Sequence, residues 1–154
     1  MPSERTGRGP QRIVCLTEET VETLYLIGED RRIVGVSAFT RRPPRARREK
    51  RVVSAFTSAK IDEIVALEPD LVLGFSDLQA DIAAQLIRAG LAVHVFNQRT
   101  VAGIFEMIET LGALVGAADK AAALAESLRA GVEAVRRSAQ QLERRPRVYF
   151  EEWP

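Results

Sequence analysis

The stretch KIDEIVALEPDLVLGFSD, at 60–77, constrains the fold more than any other part of the chain. Its first half predicts a short helix, because apolar residues recur at helical spacing and Asp62 and Glu63 lie in the positively polarised first turn. Pro69 ends that helix, and the unbroken apolar run 71–73 is typical of a strand buried on both faces. The loop after such a strand lies where open α/β sheets bind their ligands. The stretch therefore predicts a binding fold.

The remainder of the chain repeats this alternation of helix and strand. Short apolar runs predict further strands at 12–16, 32–37 and 91–96. Amphipathic stretches that begin at Thr or Ser caps predict helices between them. Because strands separated by helices pair through right-handed crossovers, the predicted fold class is α/β with a short parallel sheet. One segment, at 38–58, contains a proline pair and lacks a helical period, so it is predicted to be irregular.

The carboxyl-terminal third of the chain predicts one long helix. Apolar residues share one stripe of residues 119–144, as in an amphipathic helix. At about 1.5 Å per residue this helix would span roughly 38 Å, the diameter of a small domain. Pro146 ends it, and 147–150 predicts one more strand. A spanning helix that leads to a lone strand predicts that a second lobe has been cut off, while the polar residues 1–11 predict a disordered arm.

The composition excludes several classes of protein. Hydrophobic residues make up 46% and charged residues 28% of the chain, which is typical of a soluble globular domain. The net charge of +1 argues against a molecule that binds polyanions with its whole surface. Cys15, the single cysteine, lies in an apolar run and is predicted to be a buried structural thiol. No transmembrane segment is expected, and residues 1–11 lack the apolar core of a secretory signal, so the chain as it stands is expected to be cytoplasmic.

Several segments together resemble a known family. RIVCLTEETVETLYLIG, RIVGVSAFTRRPP, KIDEIVALEPDLVLGF and the final helix and strand are similar to the first lobe of class III periplasmic substrate-binding proteins, which serve ABC importers for cobalamin, iron-siderophores, haem and some metals. The most specific motif lies at 61–73. The resemblance implies Rossmann-like three-layer α/β/α lobes that are joined by one rigid helix and hold ligand in the cleft between them. It divides the chain into an arm at 1–11, an amino-terminal lobe at 12–117, a hinge helix at 118–145 and the start of a second lobe at 146–154.

The resemblance also implies where the ligand and the transporter bind. The cleft would be lined by loops that follow the strands and, past the hinge, by the end of the chain. An exposed acid on the helix after the strand 71–73 would dock on an ABC permease, and either Asp77 or Asp81 fits that place. Arg41 and Arg42, in the basic segment beside the cleft, are candidate partners for an anionic group of the ligand. The ligand-binding candidates are Thr17, Glu18, Phe39, Arg41, Phe56, Phe75, Asn97 and Trp153.

Three of these candidates are phenylalanines that end strands or lie in turns. A flat, largely apolar ligand such as a corrin or a porphyrin favours such side chains, because stacking buries a large area at a small entropic cost. The alternative is that Phe39, Phe56 and Phe75 are core residues. We predict cobalamin, a related corrinoid or an iron chelate as the ligand, and no cofactor that belongs to the protein itself.

Two other features have a functional and a structural interpretation. His94, the single histidine, is a potential axial ligand, but its place between two valines of a strand favours a hydrogen-bonded core histidine. Without a second histidine or a cysteine pair, no metal site is predicted. The basic run 41–51 is a potential phosphate or RNA contact, but no aromatic residues interleave with its charges, which favours a solvated loop and no nucleic-acid partner.

The sequence contains no pattern that predicts catalysis. Its serines lack a nucleophile-elbow motif, and its paired glutamates are adjacent in sequence rather than facing one another. We therefore predict a non-catalytic substrate-binding protein fragment of the ABC-importer type, periplasmic by resemblance. The alternative is a cytosolic α/β module that binds or senses a cofactor without a transporter, which the absence of an export signal favours.

Overall fold

A parallel sheet of five strands forms the centre of the protein in a computed structural model that describes residues 9–152. The strands, β1 to β5, are Ile13–Cys15, Ile33–Ser37, Arg51–Ser54, Leu71–Phe75 and Val93–Phe96. The helices, α1 to α6, are Glu18–Leu26, Ala46–Glu49, Ile61–Ala66, Ala80–Arg88, Val101–Leu114 and Ala118–Gln140. The strand order is β3-β2-β1-β4-β5. This arrangement confirms the predicted α/β fold.

The order in which successive strands are added to the parallel sheet reverses at β1. The first three strands proceed towards one edge, and β4 then pairs with the other side of β1, so that Cys15 lies opposite Leu73. In open α/β sheets the ligand crevice lies at the carboxyl ends of the strands at such a reversal. The fold therefore points to the loops that follow β1 and β4.

Alternate side chains of the central strands enter two separate cores, because successive residues of a strand face opposite sides of a sheet. Ile13 and Cys15 pack with helices α1, α5 and α6 on one face. Val14 and Leu16 pack with α3 and α4 on the other face. Burial raises the pKa of the Cys15 thiol to about 12, so the thiol stays protonated at neutral pH, as expected of a structural cysteine.

The prediction that segment 38–58 is irregular is wrong in one respect, because this segment contains α2 and the edge strand β3. The strand escaped prediction because only Val53 among its residues is a fully buried apolar side chain, while Val52 is partly exposed and Arg51 is charged. Charged and exposed side chains are typical of edge strands, since they prevent edge-to-edge association. An edge strand of this kind lacks the apolar run that identifies a central one.

The long helix is a single helix, as predicted, and covers Ala118–Gln140. Beyond it, the predicted strand at 147–150 is not formed, and Val148, Tyr149 and Phe150 are exposed. A strand is stable only when a neighbour satisfies its backbone hydrogen bonds, and none of the described residues pairs with this segment. No helix in the described part of the chain is long and apolar enough to cross a membrane.

The predicted arm at 1–11 falls partly outside the described residues, which begin at 9. Residues 9–11 are attached to the domain rather than free. The Gln11 backbone N–H donates to both carboxylate oxygens of Asp70, at 3.1 and 2.8 Å, and the Pro10 carbonyl accepts from Arg32 at 2.7 Å. Asp70 thereby fixes the entry to β1 beside the start of β4.

Candidate functional site

A wide, open concavity of about 1270 Å³ lies at the carboxyl end of the sheet. Loops that follow β1, β2, β3 and β5 contribute to its surface, as do the last residue of β4 and the end of the described chain. Its lining is mainly apolar. The lining residues are Leu16, Thr17, Glu18, Glu19, Glu22, Ser37, Phe39, Arg42, Phe56, Phe75, Gln98, Arg99, Thr100, Val101, Ile104, Met107, Phe150 and Glu152.

The three candidate phenylalanines share this one surface. Phe39 follows β2 and is 56% exposed, so it is not a core residue. Phe56 follows β3, and Phe75 ends β4; both are partly exposed. Because parallel strands end at the same edge of the sheet, three aromatic side chains that are distant in sequence meet around one hollow. The arrangement suits a ligand with a broad apolar face.

A buried glutamine connects the loops that carry these aromatic residues. Gln79 is 1% exposed. Its side-chain Oε1 accepts from the Phe75 backbone N–H at 2.9 Å, and its Nε2 donates to the Phe56 carbonyl at 2.8 Å. Gly74 leaves room for this amide, since a Cβ there would lie 3.1 Å from Gln79 Oε1. Gln79 is not among the site residues predicted from the sequence.

Both polar candidates after β1 already have partners within the domain, Glu18 in the loop after β2 and Thr17 in α1. Glu18 Oε1 accepts from the backbone N–H groups of Arg41 and Arg42, at 3.2 and 2.9 Å. The Arg42 Nε atom also lies 3.7 Å from Glu18 and 3.5 Å from Glu22. The Thr17 hydroxyl donates to Glu19 at 2.8 Å. Of the two arginines predicted beside the cleft, Arg42 lines the concavity and Arg41 does not.

The loop after β5 contributes a cation, Arg99, that is not among the site residues predicted from the sequence. The Arg99 guanidinium lies 5.3 Å from the centre of the Phe75 ring, within the range of a cation–π contact. Its Nε donates to Asn97 Oδ1 at 3.0 Å, and its Nη2 lies 3.4 Å from Asp77 Oδ1. The candidate Asn97 itself faces a second, smaller hollow of about 430 Å³, so it holds Arg99 rather than lining the main concavity.

The first turn of α5 also faces the concavity, although none of its residues is among the predicted ligand-binding candidates. Val101 and Ile104 share the apolar side of this helix, yet they are 55% and 43% exposed. The helix begins beyond the end of the sheet, so its first turn has no strand to cover it, whereas Ile108 and Leu111 are buried. Apolar residues at the start of a helix that follows a parallel strand are the signal that would have identified this wall.

The remaining candidates lie at the margins or outside the described chain. Trp153 is outside the described residues, although Phe150 and Glu152 just before it line the concavity. The Asp77 side chain is 85% exposed and pairs with Arg99. Asp81 is also exposed, at the start of α4. Both acids therefore remain accessible from solvent.

The expectation that His94 is a core residue is wrong. His94 lies on the edge strand β5, is partly exposed, and contacts the Phe96 ring edge-on with 4.4 Å between the ring centres. Within the part of the chain that the structure describes, no cluster of three or more His, Cys, Asp and Glu side chains could hold a metal ion.

Basic side chains of the run 41–51 contact separate local partners and do not form one continuous patch. Arg42 pairs with two glutamates of α1, and Arg51 lies 3.0 Å from Glu63 of α3. Arg47 and Lys50 donate to backbone carbonyls, at 2.7 and 2.8 Å. The charges of this run thus tie the β2–β3 connection to the body of the domain.

The comparison with known families and proteins agrees with this architecture. Residues 13–154 match the profile of a family described as periplasmic binding protein. A cobalamin-binding protein of Halobacterium salinarum is 32% identical over 145 residues, which are 92% of this chain and 39% of that protein. The chain thus spans about two fifths of the length of this relative.

Solved structures share the fold at lower identity. The periplasmic vitamin B12 binding protein BtuF of Vibrio cholerae superposes with a TM-score of 0.76 at 23% identity, covering 86% of this chain and 52% of that one. The periplasmic haem-binding protein RhuT of Roseiflexus sp. RS-1 gives 0.80 at 22% identity, covering 90% and 53%. In both cases the match covers about half of the solved chain.

Proposed function

This chain belongs to the periplasmic binding protein family, and from that premise we propose that it binds a corrinoid of the cobalamin type without changing it chemically. One observation carries the proposal: Phe39, Phe56 and Phe75 meet on a single open and mainly apolar concavity. Its volume exceeds the roughly 300–1000 Å³ of pockets for drug-sized ligands, which suits a large, flat macrocycle. The cobalamin-binding protein that the chain resembles supports this ligand class, and it disfavours the alternative of a cofactor sensor that has no transporter.

The charges around the concavity favour cobalamin over haem. Carboxylates outnumber guanidinium groups in the lining, and both guanidinium groups, of Arg42 and Arg99, already pair with carboxylates. The two propionates of haem would therefore meet an excess of like charge, which is unfavourable. The side chains of cobalamin are mostly neutral carboxamides, which hydrogen-bond to carboxylates and to arginines alike.

The lining also favours a ligand that brings its own metal ligands. Haem iron in proteins is commonly held by His, Cys, Tyr or Met. Among the described lining residues, only Met107 has a side chain of this kind, and it is 4% exposed. The cobalt of cobalamin is ligated within the vitamin itself and needs no such side chain.

The proposed function also assigns a role to each part of the chain. We infer a substrate-binding lobe at 12–117, a hinge helix at 118–145 and, at 146–154, the connection to a second lobe that would cover the other face of the ligand. The length covered in the relatives supports this division. Because one wall of a cleft contacts about half of a ligand, we expect the 154-residue chain to bind weakly by itself.

The first prediction is selective but weak binding of cyanocobalamin. We expect saturable binding with a dissociation constant on the order of 10–100 μM, because one wall supplies only part of the contact area. Haemin should bind at least about tenfold more weakly because of the acidic lining. A ferric hydroxamate chelate should also bind at least about tenfold more weakly, because it has no broad apolar face to stack on the aromatic rings. Equilibrium dialysis with absorbance detection measures all three ligands. Equal or tighter binding of haemin would contradict the proposed ligand class.

The second prediction concerns a permease. We propose that the exposed carboxylates at the start of α4 dock the protein on an ABC permease, and that Asp81 contributes more than Asp77, because Asp77 already pairs with Arg99. Asp81→Asn should weaken association with the cognate permease about tenfold, the usual effect of losing one interfacial charge pair. Surface plasmon resonance measures this change, with Glu126→Gln, an exposed acid on α6, as the control. An unchanged affinity for Asp81→Asn and Asp77→Asn would refute the docking proposal.

A further inference from the structure

The buried amide of Gln79 lies beneath the aromatic wall of the concavity and does not line it. Its side chain is 1% exposed and makes no capping hydrogen bond to α4, because it points away from that helix. A buried primary amide is costly unless its donors and acceptor are all used. Here the bonds extend beyond its own turn after β4 to two other loops of the site, which is more than the local turn requires.

These bonds connect three of the loops at the carboxyl end of the sheet. Oε1 accepts from Phe75 N–H at 2.9 Å, at the end of β4. Nε2 donates to the Phe56 carbonyl at 2.8 Å, in the loop after β3, and lies 3.5 Å from the Leu16 carbonyl after β1. β3 and β4 are not neighbours in the sheet. The amide therefore bridges loops that no ladder of strand hydrogen bonds connects.

The backbone around Gln79 is arranged to bring its side chain to this place. Ser76 has φ 59° and ψ 176°, a conformation that is essentially restricted to glycine and is unfavourable in other residues. It is held there because its N–H donates to the Phe96 carbonyl at 2.7 Å and its hydroxyl accepts from Leu78 N–H at 3.3 Å. The resulting turn directs the chain back beneath Phe75, where Gly74 leaves space for the amide.

We propose that Gln79 is a positioning residue for the ligand site, which fixes the Phe56 and Phe75 rings relative to one another. This inference rests on the proposed function for its ligand but on geometry for its mechanism. The Phe56 loop is short and turns back on itself, with Ala55 N–H donating to the Ser58 carbonyl at 2.8 Å. Without the amide, the Phe56 carbonyl would lose its link to β4, and the loop would move as a unit. A stacking surface loses affinity when its rings lose their common orientation.

Gln79→Met tests the proposal, because methionine fills a similar volume and can make none of these hydrogen bonds. We expect cyanocobalamin to bind about tenfold more weakly, the effect of one lost set of positioning bonds. In protein labelled with fluorophenylalanine, the ¹⁹F signals of Phe56 and Phe75 should broaden or shift, while that of Phe105 should not. Ile82→Val, a buried apolar change on α4, is the control that loosens the same helix without touching the loops. It should leave affinity within about twofold.

The result that overturns the proposal is a folded Gln79→Met protein whose Phe56 and Phe75 signals match the wild type. If that variant does not fold, Gln79→Asn takes its place, because the shorter amide cannot reach both loops. Failure of the proposed function would give a different result from failure of the Gln79 proposal. Wild-type protein would then bind no cyanocobalamin, while the ¹⁹F comparison would still test the role of Gln79. Unchanged cyanocobalamin affinity together with shifted ¹⁹F signals would also refute the proposal, because the orientation of the two rings would then have no effect on ligand binding.

Discussion

Replacing Phe39 and Phe56 together with alanine is expected to remove measurable binding of cyanocobalamin. Each ring that a macrocycle covers contributes about 1–2 kcal/mol through buried apolar area and stacking. The loss of both rings therefore corresponds to roughly 3 kcal/mol, or about a hundredfold in affinity. Because a single wall of the cleft starts from weak binding, a change of this size places the dissociation constant beyond the range of equilibrium dialysis.

These two rings can be removed without dismantling the fold. Neither Phe39 nor Phe56 belongs to either hydrophobic core, whereas Phe75 packs against the larger one. The double variant should therefore unfold within a few degrees of the wild type. Tyr149→Ala is the matched control, because Tyr149 is an aromatic residue that is 83% exposed and does not line the concavity. Retained binding in the double variant, or equal loss in Tyr149→Ala, would show that the aromatic surface is not where the ligand lies.

The general position of this surface could be predicted from the sequence because it follows from topology. Each candidate phenylalanine comes directly after a predicted strand or lies in a turn, and parallel strands end at one edge of a sheet. The predicted run at 71–73 and the helix before it are present, as is the long helix. Local patterns of this kind are decided by a few neighbouring residues, and they are the most reliable information that a single sequence offers.

The parts that escaped prediction depend on contacts between distant segments. Whether Glu18 is free to bind a ligand is decided by the backbone of residues 41–42, which occupies its carboxylate. Arg99 gains its role only because β5 lies beside β4, which brings its guanidinium over Phe75.

Gln79 has capping-box spacing from Ser76 in the sequence, yet its amide bonds to Phe75 and Phe56 instead. Helical spacing indicated the apolar side of α5 correctly but not that its first turn extends past the sheet.

The junction between α5 and α6 provides the second large effect, on stability. Gly112→Ala is expected to destabilise the protein by about 2 kcal/mol, because overpacking a tight contact usually costs about 1–3 kcal/mol. A Cβ at this position would overlap the Cβ of Ala121 and would lie 3.2 Å from the Ala117 carbonyl oxygen. For a domain of this size that change lowers the melting temperature by roughly 4–8 °C. Differential scanning calorimetry measures the shift.

Gly131→Ala is the matched control and should have the opposite sign. Gly131 lies on α6 with nothing near the site of its missing Cβ, so alanine there should stabilise the helix by about 0.5–1 kcal/mol through helix propensity alone.

A compensating exchange separates steric overlap from any other cause. In Gly112→Ala/Ala121→Gly the methyl group is moved from one helix to the other, so the helices regain their close approach and the two propensity changes cancel. The double variant should therefore melt close to the wild type. This contact fixes the start of the long helix against the lobe through buried Ala121, and a rigid hinge is what the proposed function requires of that helix. A Gly112→Ala protein that is as stable as the wild type would mean that α6 is free to shift on α5, and the helix could then no longer serve as a rigid connection.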